Sequence, residues 1–164
     1  MALNLEKCKK MHIGKKNPKS KYFLDNSGST PYELEESMLE RDLGVLITND
    51  YKVHQQVINV CGKANRIIGM LKHTFVSRDL SIWSKLYKTY IRPNLEFAVS
   101  AWYPYKKQDI NLIEKIQRRV TKIPLQCRNM PYENRCKLFS IQPLDKRRIR
   151  GDMIQQFKII KKNG

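Results

Sequence analysis

The sequence predicts an α+β protein that is mostly α: a small N-terminal antiparallel hairpin or sheet over residues 1–50, then a basic helical region over 51–164. Three observations carry this. Short apolar runs broken by turn residues fill the first part of the chain, and from Val53 apolar residues recur at helical spacing. The third is size: at 164 residues, 41% of them hydrophobic, the chain can bury about two-thirds of its unfolded surface, which argues against disorder.

Residues 7–14 alternate loosely, with Cys8, Met11 and Ile13 as inward positions. The stretch 14–20 is turn chemistry, and Tyr22-Phe23-Leu24 forms a second apolar run. Together they read as a basic β-hairpin with a polar loop. A second loop follows at 26–31. Residues 32–40 suit either a strand or a short acidic helix, and 43–48 read as a strand closed by Asn49-Asp50.

Val53, Val57, Val60, Cys61, Ala64, Ile67, Ile68 and Leu71 then mark one face of a long amphipathic helix whose outside carries Lys63 and Arg66. Ser77 or Asp79 caps a second helix, striped by Leu80, Trp83, Leu86, Tyr87, Tyr90 and Ile91. Pro93 interrupts it, and the apolar segment 94–102 is expected to be buried. A third helix starts near Asp109 with Ile110, Ile113, Ile116 and Val120 inward and Leu112 a further candidate; Pro131 opens a short helix through Phe139. Pro143 begins the last helix, striped by Leu144, Ile149, Met153, Phe157 and Ile160. Its first half crowds Lys146, Arg147, Arg148 and Arg150, where the helix dipole disfavours cations. That conflict points to a bound anion or to a solvated charged face.

Charge narrows the partners. Lys and Arg number 32 against 15 Asp and Glu, a net +17, which repels itself unless an anion binds. Nucleic acid and acidic membrane are the common polyanions. No run approaches the ~18 apolar residues of a membrane span, and the opening has no signal-peptide core, so an intracellular, non-secreted protein with no membrane partner is expected. Cys8, Cys61, Cys127 and Cys136 are scattered without a Cys-x-x-Cys pair, and the gap from Cys127 to Cys136 is too long for a zinc knuckle. Free thiols and no metal or cofactor are the simpler reading.

No enzyme constellation emerges: there is no Gly-rich phosphate loop, no His-Glu-x-x-His and no Gly-x-Ser-x-Gly. Two-metal nucleotidyl transfer needs convergent carboxylates, and the nearest pairs, Glu35-Glu36 and Glu40 with Asp42, read as surface. Arg150-Gly151-Asp152 lies inside a helix and is coincidental as an integrin tripeptide. Trp83, Tyr87 and Tyr90 alternate with Lys85, Lys88 and Arg92, a pattern that suits base stacking beside phosphates. The rings share a face with Leu80 and Leu86, which places most of them in the core and the cations outside.

A family resemblance spans essentially the whole chain. Asn4-x-x-Lys7-Cys8-x-x-Met11-x-Ile13-Gly14, then Arg41-Asp42-Leu43-Gly44-Val45, is similar to the region just after the active site of non-LTR retrotransposon reverse transcriptases. Leu86-Tyr87-Lys88-Thr89-Tyr90-Ile91-Arg92-Pro93-Asn94-Leu95-Glu96-Phe97-Ala98 and Ala101-Trp102-x-Pro104 resemble the jockey and CR1 branch. So do Glu114-Lys115-Ile116-Gln117-Arg118-Arg119-Val120-Thr121-Lys122 and Arg147-Arg148-x-Arg150-Gly151-Asp152-Met153-Ile154. Each block is weak alone; their succession is specific.

The resemblance implies the end of a polymerase palm over about 1–25, with Lys7 matching the lysine that protonates leaving pyrophosphate and a primer-grip hairpin around 11–14. From about residue 50 it implies the thumb and the helical region that tracks template–primer duplex. The Tyr/Phe-Ala-Asp-Asp turn and the upstream catalytic Asp are absent from this sequence, so the chain alone is not expected to polymerise DNA. It looks like the C-terminal piece of a retroelement open reading frame that would act with the remainder of a reverse transcriptase.

Expected phosphate contacts are Lys7, Lys9 and Lys10, Lys63 and Arg66, and Lys85, Lys88 and Arg92. To these belong Arg118, Arg119 and Lys122 on one side of the third helix, and Arg147, Arg148 and Arg150 on the last. The bound partner would be an RNA–DNA or DNA duplex. The alternatives are a basic helical protein that docks an acidic protein partner, and a decayed retroelement product without selected function.

Overall fold

The computed structural model describes residues 4–14, 16–25 and 30–162, so most of the loop expected at 26–31 lies outside them. The chain is α+β and mostly α, with short strands first and helices after. Its contacts divide it into two units, Met1–Gln55 and Gln56–Gly164.

In the first unit, strands β1 (Lys9–Lys10) and β4 (Glu35–Glu36) pair in parallel, and β2 (Phe23–Leu24) pairs antiparallel with β3 (Tyr32–Glu33). The hairpin expected between 7–14 and 22–24 therefore does not form. Contacts beside the ladder hold β1 there instead: Lys9 pairs with Glu40 at 3.3 Å, Lys10 with Glu33 at 3.2 Å, and the Ser37 N–H donates to the Lys10 carbonyl at 2.8 Å. Between the two runs, Asn17 Oδ1 accepts from the Lys19 N–H at 2.9 Å around Pro18, closing a local turn instead of a ladder. Residues 32–40 resolve as strand rather than acidic helix. The longest pairing is β5 (Leu39–Asp42) with β6 (Val45–Thr48), a four-residue antiparallel hairpin. Leu43 and Gly44 have φ of +44° and +87°, the two left-handed residues of a tight hairpin turn, so the strand expected from Leu43 starts at Val45.

The second unit is helical. Helix α1 (His54–Thr74) buries Gln56, Val57, Val60, Ala64, Ile68 and Leu71 at the expected spacing. Asp79 caps α2 (Leu80–Leu86), its carboxylate accepting from the N–H groups of Ser81 at 2.7 Å and Ile82 at 3.3 Å. Pro93 does not interrupt the rod. A π turn, Tyr87–Ile91, joins α2 to α3 (Arg92–Glu96), and the Arg92 N–H bonds the Tyr87 carbonyl five residues back. This wider turn absorbs the donor that proline lacks. Of segment 94–102, Leu95 and Trp102 are buried, but Phe97 is 55% exposed, as is Tyr90 at 53%.

Helices α4 (Lys107–Val120), α5 (Tyr132–Phe139) and α6 (Leu144–Lys162) complete the unit. Trp83, Tyr87, Ile91, Leu95, Ile113 and Phe139 form its fully buried centre. The expected stripe of α6 is buried only at Leu144; Ile149, Met153, Phe157 and Ile160 face solvent at 50–72% exposure. Periodicity locates a stripe but not what it meets.

A polar cluster ties this unit together. Gln117 is fully buried, accepts from the Tyr87 hydroxyl, and donates to the Tyr132 hydroxyl at 2.7 Å and the Gln142 carbonyl at 3.0 Å. The buried Glu114 carboxylate accepts from the Tyr132 hydroxyl and, at 3.0 Å, from the Leu144 N–H that opens α6. One face of α4 thus grips the π turn, α5, the 140–143 connection and α6. Buried polar groups hold only while every partner is present.

Two predictions follow from the cluster. Replacing Gln117→Leu leaves the Tyr87 hydroxyl and the Gln142 carbonyl without their partner, at ~1–3 kcal/mol each. Urea unfolding should therefore show a loss of about 2–4 kcal/mol with an unchanged denaturant slope. Burial, with the Glu114 hydrogen bond second, holds the Tyr132 phenol far above its ordinary range, and burial does the same for Tyr87. In the unfolded chain both ionise at about pH 10, so above that pH the folded state binds more protons and stability falls as pH rises. In an ultraviolet titration two of the eight tyrosines should ionise only with unfolding.

Candidate nucleic-acid interface

The most uniform charged surface is the outer face of α4. Its inward positions are Asp109, Ile113, Glu114, Ile116, Gln117 and Val120, so both carboxylates of the helix are buried. Lys107, Lys115, Arg118 and Arg119, with Lys122 just beyond the helix end, are all exposed. At 1.5 Å per residue they extend over roughly 22 Å, the length of about six nucleotides of one strand. Every charged side chain on this face is positive.

Neighbouring elements position the two arginines. Arg118 extends over the Tyr132 ring of α5, 4.8 Å from its centre. Arg119 turns the other way and donates to Asn65 Oδ1 of α1 at 3.0 Å. The adjacent arginines diverge rather than cluster, because consecutive helix positions point 100° apart. The Asn65 contact brings α1 against α4 beside Lys63, half-buried, and Arg66, exposed. Lys85 is exposed on α2 and Lys88 half-buried in the π turn.

The last helix differs from expectation. Arg147 pairs with Glu96 at 2.6 Å, and Arg92 approaches the other oxygen of the same carboxylate at 3.9 Å. Arg148 is 3% exposed, donates to the Leu95 carbonyl at 3.2 Å and lies 5.8 Å from the Trp102 ring centre. Burial pulls its guanidinium below the usual arginine range. Arg148 is thus a structural cation and not an exposed phosphate contact. Glu96, with Glu114 accepting from the first N–H of α6, supplies the negative charge that this crowded helix start requires. Arg150 stays exposed.

In the first unit, Lys7 is exposed, Lys9 pairs with Glu40 at 3.3 Å, and Lys10 pairs with Glu33 at 3.2 Å. The Lys10 hydrogen bond, the largest cause, keeps the Glu33 carboxyl below its usual range. The Lys9–Glu40 pair is exposed on both sides and easily exchanged, whereas the Lys10 side chain is largely covered. All four cysteines are free thiols, and burial pushes the Cys61 thiol up to about 11. Among the described residues, no three His, Cys, Asp or Glu side chains group as metal ligands, and no helix is long and apolar enough to cross a membrane.

Lys107 and Lys115 belong to the cationic face and are absent from the contacts expected from sequence. Their signal lies in the spacing 107, 111, 115, 118 and 122, which complements the inward stripe. By fold and surface the chain is a basic, mostly helical α+β protein that presents one carboxylate-free helix face. No family model, curated protein or solved structure matches it.

Arg148 and Arg150 provide a sharp contrast. Arg148→Ala removes a buried charged hydrogen bond and the contact with Trp102, and should cost about 2–3 kcal/mol in urea unfolding. Arg150→Ala, at an exposed position, should stay within about 0.5 kcal/mol of the parent. Equal unfolding midpoints for the two variants would contradict the structural role of Arg148.

Proposed function

We propose that this chain is a non-catalytic, nucleic-acid-binding piece of a reverse transcriptase of the jockey-like non-LTR retrotransposon class. It grips template–primer duplex through phosphates, without reading sequence. The observation that carries the reading is the α4 face, with Lys107, Lys115, Arg118, Arg119 and Lys122 outward and Asp109 and Glu114 buried. A carboxylate-free cationic surface about as long as six nucleotides suits the regular charge of a polynucleotide strand. The ordered sequence blocks that resemble such enzymes support the same assignment, and the block from Glu114 to Lys122 contains most of this helix face.

Phosphate neutralisation releases counterions but carries no base information. Binding would therefore be strong at low salt and nearly indifferent to sequence. Arg118 with Tyr132 adds a guanidinium stacked on a ring. Chemistry is a separate matter. Phosphoryl transfer needs two metal ions held by convergent carboxylates, and the resemblance places those aspartates in a motif this sequence lacks. The aspartates would be contributed by the remainder of a polymerase.

The test is the salt dependence of duplex binding. If ~6 phosphates are neutralised, log affinity should fall against log salt with a slope of about −5. Exchanging Lys107, Lys115 and Lys122 together for Gln should flatten that slope by up to about 3. None of the three forms an ion pair among the described residues, and all are exposed, so thermal unfolding should not change. An unchanged slope in the folded variant would refute the α4 assignment. Template-dependent primer extension by the purified chain would refute the non-catalytic one.

A further inference from the structure

A cleft of about 660 Å³ opens where the 96–100 segment meets the first half of α6. Glu96 and Arg147 line it and answer each other at 2.6 Å, so their charges cancel locally. Other polar groups on the wall have no such answer. Arg150 forms no ion pair among the described residues, and the side chains of Ser100, Gln142 and Gln155 make no hydrogen bond among them. Arg148, 3% exposed, gives one Nη to the Leu95 carbonyl, but its buried Nε–H has no acceptor. A buried donor without a partner costs free energy, and beside a cleft it calls for an acceptor from outside the chain.

The backbone leaves room for that acceptor. Gly151 lies on the wall inside a long helix, where glycine is unfavourable. A Cβ at this position would meet nothing within 4 Å, so the chain's own packing does not require glycine here.

The wall also defines the ligand. Arg150, the Arg148 Nε–H and the Ser100 hydroxyl are three donors, and the three terminal oxygens of a phosphate match that number. Asp152, half-buried on the same wall, accepts hydrogen bonds and opposes a second anionic group. Uncharged donors suit it, because a protein of net +17 disfavours a cationic ligand end. Ala98, Val99 and Ile154 give an apolar side against which a ring can lie. The volume falls within the ~300–1,000 Å³ of small-molecule sites, more than a bare anion fills.

We infer that this cleft binds a sugar phosphate, with the phosphate at Arg150 and the sugar hydroxyls toward Asp152. A free sugar phosphate and the 5′-phosphorylated end of a nucleic-acid strand present the same chemistry. The site uses no residue of the α4 face and does not rest on duplex binding there.

The experiment is a calorimetric titration of the full chain, freed of nucleic acid, with ribose 5-phosphate. One saturable site is expected, at least about tenfold tighter than for inorganic phosphate or gluconate, each of which lacks half of the ligand. Arg150→Gln should weaken binding by about tenfold or more with unchanged thermal unfolding. Gly151→Leu should abolish it by filling the cleft, in a helix at least as stable as the parent's. Asp152→Ala should narrow the preference over inorganic phosphate. The Lys107, Lys115 and Lys122 exchange to Gln should bind ribose 5-phosphate as the parent does, which separates this site from α4. A 5′-phosphorylated trinucleotide and its 5′-hydroxyl twin tell the sources apart. Preference for the first assigns the cleft to strand ends, and equal binding assigns it to free sugar phosphates. No saturable binding of ribose 5-phosphate would overturn the inference, as would equal affinity for inorganic phosphate or gluconate. So would full binding by both Arg150→Gln and Gly151→Leu.

Discussion

The buried hydrogen bonds of Glu114 and Gln117 are the constraint around which the helical unit is organised. The two side chains sit one turn apart on α4, and between them engage Tyr87, Tyr132, the Gln142 carbonyl and the Leu144 N–H. Apolar packing alone would let helices slide at small cost, since volume and patterning tolerate repacking. Directional partners do not slide, because each displaced bond leaves a buried group unsatisfied. The same geometry shapes the exterior. With Glu114 and Asp109 turned inward, the outer surface of α4 keeps cations only, so the network that fixes the core also removes the charges that would neutralise its surface.

A second dependency runs through the π turn. Because the rod continues past Pro93, α3 delivers Glu96 and the Leu95 carbonyl to the start of α6. Glu96 then holds Arg147 and Arg92, while the Leu95 carbonyl and the Trp102 ring hold Arg148. The crowding of cations at the start of α6 is therefore answered largely from within the chain. An external anion is not needed to balance Arg147 or Arg148. The burial of Arg148 costs desolvation, which hydrogen bonding and ring contact partly offset.

Elements with a long period were legible in the sequence. The α1 stripe and the inward positions of Ile113, Ile116 and Val120 follow from spacing within one helix, and capping chemistry narrowed the start of α2 to Ser77 or Asp79, of which Asp79 is the cap. What was not legible depends on distant partners. Strands of two residues have too few positions for a period to show, so the parallel pairing of Lys9–Lys10 with Glu35–Glu36 leaves no mark in the local sequence pattern. Arg148 reads as one of four surface cations until Leu95 and Trp102, remote in sequence, are placed beside it. Glu114 and Gln117 are polar residues at inward positions, which hydrophobic periodicity assigns outward by default.

The two outward surfaces of the helical unit differ in what they ask of a partner. On α4 the charges are spaced along the helix with no apolar anchor between them, and Lys107, Lys115 and Lys122 make no ion pair among the described residues. Such a surface gains most from a partner with charge at regular intervals and little shape, because the gain is counterion release rather than packing. On α6 the exposed side chains are largely apolar, with Ile149, Met153, Ile154 and Phe157 around Lys146 and Arg150, so the gain from covering them would be burial. Salt weakens the first interaction steeply, since it acts on every contact. It weakens the second far less, because removing apolar surface from water survives screening.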